Sequence, residues 1–151
     1  MTEVFRNAES GKIVNQKPGY AGSDGGAGQV ERVFSSFEEN LDNLRAIVRL
    51  VRTAKPGAKI VMTVWPVALA ATFGEEDIVV TNTESKCLLR AAIGQVTREF
   101  EDVIYFPAFE LVTSLDAERA FRADRRNVLM PVVEHIMQVF QEAYFIDTEQ
   151  S

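Results

Sequence analysis

The sequence predicts an α/β fold with a short parallel sheet, and two observations support this prediction. From Ser36 onward, helix-like and strand-like segments alternate along the chain and are joined by short links. Such alternation implies right-handed crossovers onto a parallel sheet. The chain has 151 residues, 46% of them apolar, which matches the size and composition of one globular domain.

The first 35 residues are expected to form a glycine-rich N-terminal arm or loop. Six of the nine glycines lie between Gly11 and Gly28, and a residue without a Cβ atom loses the most backbone freedom on folding. Residues 11–15 are compatible with one short strand. No Gly-Lys-Ser/Thr sequence closes the glycine run, so a phosphate-binding loop is not expected. Regular structure is predicted to begin at Ser36, and residues 36–146 are predicted to form the α/β unit.

The first helix is predicted by its cap and by one apolar stripe. Ser36 and Glu39 have the spacing of a capping box, in which each side chain bonds the backbone N–H of the other residue. The stripe advances in steps of three and four residues, and its members are Phe37, Leu41, Leu44, Val48 and Val51. The β-branched run over residues 59–65 then has the profile of a central strand that is buried on both faces.

A second cycle of strand and helix elements follows. Residues 78–80 are interpreted as a short extended piece, and a helix is predicted to begin near Thr83. The apolar stripe of this helix consists of Leu89, Ile93, Val96 and Phe100. Residues 103–106 form the next predicted strand. A last helix is predicted to start with Pro131, because proline suits the first helical turn.

The charge and the counts of cysteine and histidine exclude several classes of protein. A net charge of −6 gives no overall attraction to nucleic-acid phosphates or to an anionic membrane. One cysteine cannot form an intrachain disulfide, and one cysteine with one histidine cannot build a Cys/His zinc site. No cofactor is predicted. The sequence shows neither a membrane-spanning run nor a signal peptide, so a cytoplasmic protein is expected.

The two convincing strands are fewer than a doubly wound domain usually contains. A sheet this narrow, combined with three amphipathic helices, leaves apolar faces and a strand edge uncovered. Self-association, or a partner protein that covers the exposed sheet edge, is therefore expected.

Ligands of open parallel sheets bind beyond the carboxyl ends of the strands. In this sequence that rim comprises residues 65–67 and 107–110. Trp65 is interpreted as a packed corner residue rather than as a platform for a ligand. Glu110 belongs to the same rim, and its simplest interpretation is a solvated charge in the first turn of a helix.

A polar group at the predicted start of the second helix forms a candidate anion-binding site. Its members are Asn82, Ser85, Lys86 and Arg90. Lys86 and Arg90 lie four residues apart and share one helix face. Free amides and the helix dipole favour an anion at a helix N-terminus. The simpler interpretation is a set of helix caps beside a solvated basic edge.

Three residues are of types that could take part in nucleophilic or acid–base chemistry. His135 is the chain's only histidine, and its offset from the apolar stripe of the last helix places it toward solvent. Cys87 lies in an apolar-rich helix and is interpreted as a small core residue. Asp124 could orient a base three residues later, but that position holds Asn127, which takes no proton at neutral pH.

Several blocks of the sequence together resemble a known family. Residues 60–67, 82–90 and 105–110 resemble successive blocks of the GSCFA family, which belongs with the SGNH (GDSL-like) hydrolases. Residues 2–5, Gly11-Lys12 and residues 36–44 are similar to the middle region of that family. The resemblance runs from Thr2 to about Phe140. It implies part of a three-layer α/β/α fold of the flavodoxin-like, SGNH type, and ester or acyl chemistry by a Ser–His–Asp arrangement.

The sequence departs from the family pattern at the residues that would carry catalysis. The Gly-Ser-Cys-Phe-Ala motif, which holds the presumed nucleophile, does not occur in this chain. The Asp-x-x-His block of the family aligns with residues 124–127, so Asp124 matches and Asn127 replaces the base. Trp65 stands where the family's Thr-Val-Ser-Pro block has serine. Nucleophilic catalysis requires a nucleophile that an adjacent base activates, and the chain lacks both residues at the family's positions.

Three hypotheses on function follow. In the leading hypothesis, the chain is the C-terminal portion of a GSCFA-like domain and has no hydrolase activity alone. It is then either a truncated or split gene product or a degenerate binding module. The alternative is an esterase or acyltransferase completed by another chain, in which Asp124 orients a base and Asn82 stabilises an oxyanion. The third is a small anion-binding protein that uses Ser85, Lys86 and Arg90.

Overall fold

The computed structural model describes residues 3–14 and 30–145. This part of the chain contains an antiparallel three-stranded sheet, a parallel two-stranded sheet and five helices, which confirms the α/β prediction. The elements in chain order are β1 (Glu3–Asn7), β2 (Ile13–Val14), β3 (Val30–Phe34), α1 (Phe37–Ala54), β4 (Ile60–Met62), α2 (Ile78–Glu99), β5 (Val103–Tyr105), α3 (Ala108–Thr113), α4 (Ala117–Ala120) and α5 (Met130–Tyr144).

The antiparallel sheet has the strand order β2-β1-β3. Phe5 of β1 lies opposite Val14 on one side and Arg32 on the other. The short strand predicted within residues 11–15 is therefore confirmed, but the prediction that regular structure begins at Ser36 is wrong. Residues 15–29 of the predicted arm lie outside the described residues, and the division of the chain at residue 35 stays a prediction.

Helix α1 begins at the predicted capping box. The backbone N–H of Glu39 donates to Ser36 Oγ over 3.1 Å, and the N–H of Ser36 donates to Glu39 Oε2 over 2.8 Å. Leu41 and Val48 are buried on the face of α1 that packs against α2. The exposed side of this helix is mostly polar but also carries Ile47 and Leu50, so the predicted stripe is its more deeply buried face rather than its only apolar one.

Helix α2 begins earlier than predicted. The Asp77 side chain caps it by accepting the N–H of Val79 over 2.8 Å, so residues 78–80 are the first turn of a helix and not an extended piece. The buried face of α2 starts with two polar residues, Thr81 and Ser85, and continues with Ala92 and Val96. Because polar residues form this part of the buried face, the first turns of the helix show no apolar periodicity in the sequence.

The parallel sheet pairs β4 with β5, Ile60 opposite Val103 and Met62 opposite Tyr105. Burial alternates along β4 and the segment after it, since Met62 and Val64 are buried while Val61 and Trp65 are exposed. The prediction of a strand buried on both faces is therefore wrong. The side of β4 that carries Met62 and Val64 is the more deeply buried one, which is the period-two pattern of a half-covered strand.

Two apolar cores lie on opposite faces of the parallel sheet. The first core joins α1 and α2 to one face, through residues such as Val48, Val96 and Val103. The second core joins Phe106, which follows β5 and points to the opposite face, to α3, α4 and α5. Helix α5 has Pro131 in its first turn as predicted, and buries Ile136 in this core. The arrangement is thus part of an α/β/α three-layer fold.

Within the described residues, no helix combines the length and the apolar character that crossing a membrane would require.

Candidate functional site

The carboxyl ends of β4 and β5 meet at one edge of the parallel sheet. The N–H of Phe106 donates to the carbonyl of Met62 over 2.8 Å, so the two chain segments leave the sheet side by side. In open α/β sheets this edge forms the crevice that takes ligands. The residues around it therefore define the candidate site.

The segment after β4 is held in place by three side chains from distant elements. Lys86 Nζ donates to the carbonyl of Val67, and Arg126 Nε donates to that of Ala68, each over 3.0 Å. Asn82 Oδ1 accepts the N–H of Leu69 over 3.0 Å. Backbone groups outside regular structure need such partners when they are partly buried. These bonds hold one wall of the site.

These contacts change the interpretation of the predicted anion site. Asn82 and Ser85 lie in the second turn of α2 and not at its N-terminus, so the premise of free amides beside them is wrong. Lys86 is buried, and its burial lowers the pKa of its amine. Asn82 and Lys86 act in this structure on the loop after β4. Anion binding by this group stays a prediction.

Asp124 and Asn127 belong to a tight hairpin between α4 and α5. Phe121 pairs with Val128, and the N–H of Arg122 donates to the carbonyl of Asn127 over 2.8 Å. Arg125 occupies the turn with a φ of 51°, in the left-handed region. The chain therefore reverses within a few residues, and this reversal brings Arg122 beside Asn127 at the edge of the sheet.

The Asp124 carboxylate accepts hydrogen bonds from its own turn. Its Oδ1 accepts the N–H groups of Arg126 and Asn127 over 3.0 and 2.9 Å, and its Oδ2 accepts Asn127 Nδ2 over 2.6 Å. The backbone N–H groups of Asn127 and Arg126 lower the pKa of Asp124 to about 2, and the Asn127 side chain contributes to this shift. Asp124 thus bonds the side chain three residues later, and that side chain is an amide.

A cavity of about 480 Å³ lies at this edge of the sheet. Its polar lining consists of Thr63, Arg122 and Asn127. Its apolar lining consists of Trp65, Pro66, Val67, Phe106, Ala108, Val128, Val133, Ile136, Met137 and Phe140. Ligand cavities in proteins typically have volumes of about 300–1,000 Å³ and mostly apolar walls with a few polar groups. The cavity fits this description.

Glu110 lies in the first turn of α3, as predicted, but it is not simply solvated. Its Oε1 accepts Arg90 Nε over 2.7 Å, and its Oε2 accepts the Tyr105 hydroxyl over 2.6 Å. Arg90 also stacks over the Tyr105 ring at 4.0 Å. Burial raises the pKa of Glu110, but the bonds from Tyr105 and Arg90 outweigh it and lower the pKa overall. This triad ties α2, β5 and α3 together.

A second cavity of about 430 Å³ lies along α2 and has a more basic lining. Lys86, Arg90 and Arg98 line it together with Cys87. Two of these cations already have internal partners, Lys86 at a carbonyl and Arg90 at Glu110. The first cavity, at the carboxyl edge of the strands, is therefore the stronger candidate site.

The remaining candidate residues have the following positions. His135 is exposed on α5, as predicted. Cys87 is exposed rather than in the core, so its interpretation as a core residue is wrong. Trp65 is 68% exposed and lines the cavity, so the interpretation as a packed corner is wrong as well. Its indole lies on the face opposite the buried Met62 and Val64, and it borders the cavity together with residues of α5.

Sequence reasoning missed Arg122, Arg126 and Met137. Arg122 reaches the cavity because the hairpin turns back on itself, and an Asp followed by a polar residue three positions later is a usable turn signal. Arg126 contacts Ala68, which lies 58 residues earlier in the chain. No local sequence pattern predicts such a contact.

The fold and the cavity define an α/β module with a ligand-type cavity at the carboxyl edge of its parallel strands. A model of the GSCFA family matches residues 1–140. The chain therefore belongs to the GSCFA family, as the sequence blocks indicated. Neither the search among curated proteins nor the search among solved structures found a match. Among the described residues, no group of three or more histidines, cysteines or carboxylates is placed to hold a metal ion.

Proposed function

We propose that this chain is a non-hydrolytic, SGNH-like member of the GSCFA family whose cavity at the strand ends binds a ligand. One observation carries the proposal. Asn127 lines the cavity and donates to Asp124 over 2.6 Å, at the position where the family pattern has a histidine. An amide holds the geometry of a base but accepts no proton at neutral pH.

The position of the chain's single histidine supports the proposal. His135 is exposed on α5, whereas Ile136 and Met137 of the same helix line the cavity. General-base catalysis requires hydrogen-bond reach between the base and the nucleophile. An imidazole outside the cavity lining does not meet this requirement. The cytoplasmic location expected from the sequence stays a prediction.

The test is turnover of p-nitrophenyl esters with acyl chains from acetyl to decanoyl. We expect no hydrolysis above the rate of the Asp124→Ala variant, because neither protein has a base beside the cavity. The control is Asp116→Ala, which lies at the start of α4 and forms no capping bond with its side chain. Turnover by the unmodified chain that Asp124→Ala abolishes and Asp116→Ala preserves would contradict the proposal.

A second candidate is an esterase or acyltransferase that another chain completes. The observation in its favour is that β4 pairs only with β5 among the described residues, so its other edge is open to a further strand. Such a strand could bring a nucleophile to the cavity. If this candidate is correct, the isolated chain is inactive, and a co-purified complex hydrolyses esters in a manner that depends on Asp124.

A further inference from the structure

The cavity at the strand ends has an apolar body and a polar end. Residues of α5 form much of the body, and Phe106 packs edge-on against one of them, Phe140. The α5 residues are Val133, Ile136, Met137 and Phe140. The polar lining residues are Thr63, Arg122 and Asn127, of which the last two lie side by side in the hairpin. A ligand that fills this space therefore needs an apolar part and a polar head.

The charge of the hairpin indicates the sign of that head. Three arginines, at positions 122, 125 and 126, stand in the turn against one aspartate, although the whole chain has a net charge of −6. The oxygens of Asp124 accept N–H groups of their own turn. Arg122 forms no salt bridge within the described residues. Its charge acts on the nearby Asp124, whose pKa it helps to lower, but it makes no direct ion pair there. Its guanidinium can therefore still pair with an anionic group at the cavity.

The wall of the cavity is fixed by bonds within the protein. Lys86 bonds the carbonyl of the lining residue Val67, and Arg126 bonds the carbonyl of Ala68, which follows it. A wall that is held before binding lowers the entropic cost of taking up a ligand. A small molecule can therefore bind there without ordering a loop.

We propose that this cavity binds a medium-chain carboxylate, with the alkyl chain against α5 and the carboxylate at Arg122. This inference rests on the proposed function, because it names the ligand class of the same cavity. The two parts make separate contributions: burial of the alkyl chain supplies affinity, and the guanidinium selects the acid over an uncharged head.

Trp65 provides a site-specific readout because it is the chain's only tryptophan and lines the cavity at 68% exposure. We expect decanoate, titrated below its micelle concentration, to shift the indole emission to shorter wavelength as the alkyl chain displaces water. Acetate, which lacks the alkyl chain, should produce no shift. Decan-1-ol, which lacks the charge, should bind about tenfold more weakly, as expected for loss of one charged hydrogen bond.

Two pairs of variants assign the two ends of the ligand. Arg122→Gln should remove the preference for decanoate over decan-1-ol, whereas Arg125→Gln, with the same charge change outside the lining, should alter affinity by less than about threefold.

Met137→Glu should abolish decanoate binding by placing a carboxylate in the cavity body. Met130→Glu, on the same helix and outside the lining, should bind normally. Both methionines are about half exposed, so both variants should fold.

The outcomes separate this inference from the proposed function. An unchanged Trp65 emission with decanoate, or equal responses from the members of either variant pair, overturns the assignment of the ligand. Hydrolysis of p-nitrophenyl decanoate that depends on Asp124 overturns the non-hydrolytic function. The assignment of the ligand is decided separately, by the Trp65 response to decanoate and acetate. Decanoate binding together with absent hydrolysis supports both.

Discussion

The carboxylate of Asp124 is bound by three N–H groups of its own turn, although the residue is exposed to solvent. These bonds keep the hairpin closed and set Asn127 at the cavity. The aspartate therefore has a structural role in the hairpin.

The bonds to Asp124 make the stability of the hairpin depend on pH. Its pKa is about 2 in the folded chain, against about 3.9 for an ordinary aspartate. Because the folded-state pKa is the lower one, the stabilisation is present above about pH 4 and is lost as the pH falls toward 2. We expect an NMR titration of the Asp124 carboxyl to have a midpoint near 2.

The matched variants for this prediction are Asp124→Asn and Asp116→Asn. Acid unfolding of Asp124→Asn should depend less steeply on pH over this interval, because the variant has no carboxylate to protonate there. Asp116→Asn should behave like the unmodified chain, since its side chain forms no capping bond. A midpoint near 4 for Asp124 would contradict the hydrogen-bonded geometry.

At the level of single elements, the sequence predicted best where apolar residues mark the buried face. Helix α1 begins at its capping box, and Leu41 and Val48 of its stripe are buried. Helix α2 was predicted to start late because Thr81 and Ser85 continue its buried face with polar side chains. The Asp77 cap outweighs the low helix propensity of the β-branched residues that follow it, because the cap satisfies an amide that would otherwise be unpaired.

The site could be predicted only in part, because several of its residues are positioned by contacts between distant parts of the chain. Its place at the strand ends follows from the fold class, and the spacing of Asp124 and Asn127 allows one to orient the other. The role of Lys86 and Arg126 on the loop after β4 depends on contacts over 19 and 58 residues. The exposure of Trp65 depends on which face of β4 remains uncovered, and local sequence does not specify that.

Core packing between α1 and α2 gives a direct test of the first core. Val48→Ala should lower the free energy of unfolding by about 2 kcal/mol, because it removes buried methyl groups and leaves a cavity. Val48 is 0% exposed, whereas Leu50 of the same helix is 70% exposed. Leu50→Ala should change the free energy by less than about 0.5 kcal/mol. Urea unfolding measures both, and equal losses would contradict the assigned face of α1.

At the scale of the molecule, the parallel sheet is narrow and has two cores on its faces but open edges among the described residues. Arg45 bridges to Glu99 and Arg52 bridges to Asp102, so α1 is cross-linked to the far end of α2 and to the turn before β5. These ion pairs lie on the well-covered side. The other side carries Trp65 and the open edge of β4.

The open edge leads us to expect self-association, which light scattering after size exclusion can measure. The unmodified chain should form dimers or larger species, and Val61→Lys should weaken them, because lysine opposes pairing at a sheet edge. Val61 is 37% exposed on β4. Val79→Lys on α2, where the valine is 68% exposed, is the control with the same charge change. A monomeric unmodified chain at high concentration would argue against association.

Besides the short link from β3 to α1, the antiparallel sheet is joined to the remainder of the molecule through contacts with the segment before α2. Glu3 accepts the N–H of Phe73 over 2.9 Å, Phe5 packs edge-on against the Phe73 ring, and the Arg32 guanidinium lies against Gly74. A connection concentrated on two residues can break while the cores stay intact. The amides of β1 and β3 should then exchange with solvent deuterium in one shared opening event, at a lower free energy than those of α1 and α2.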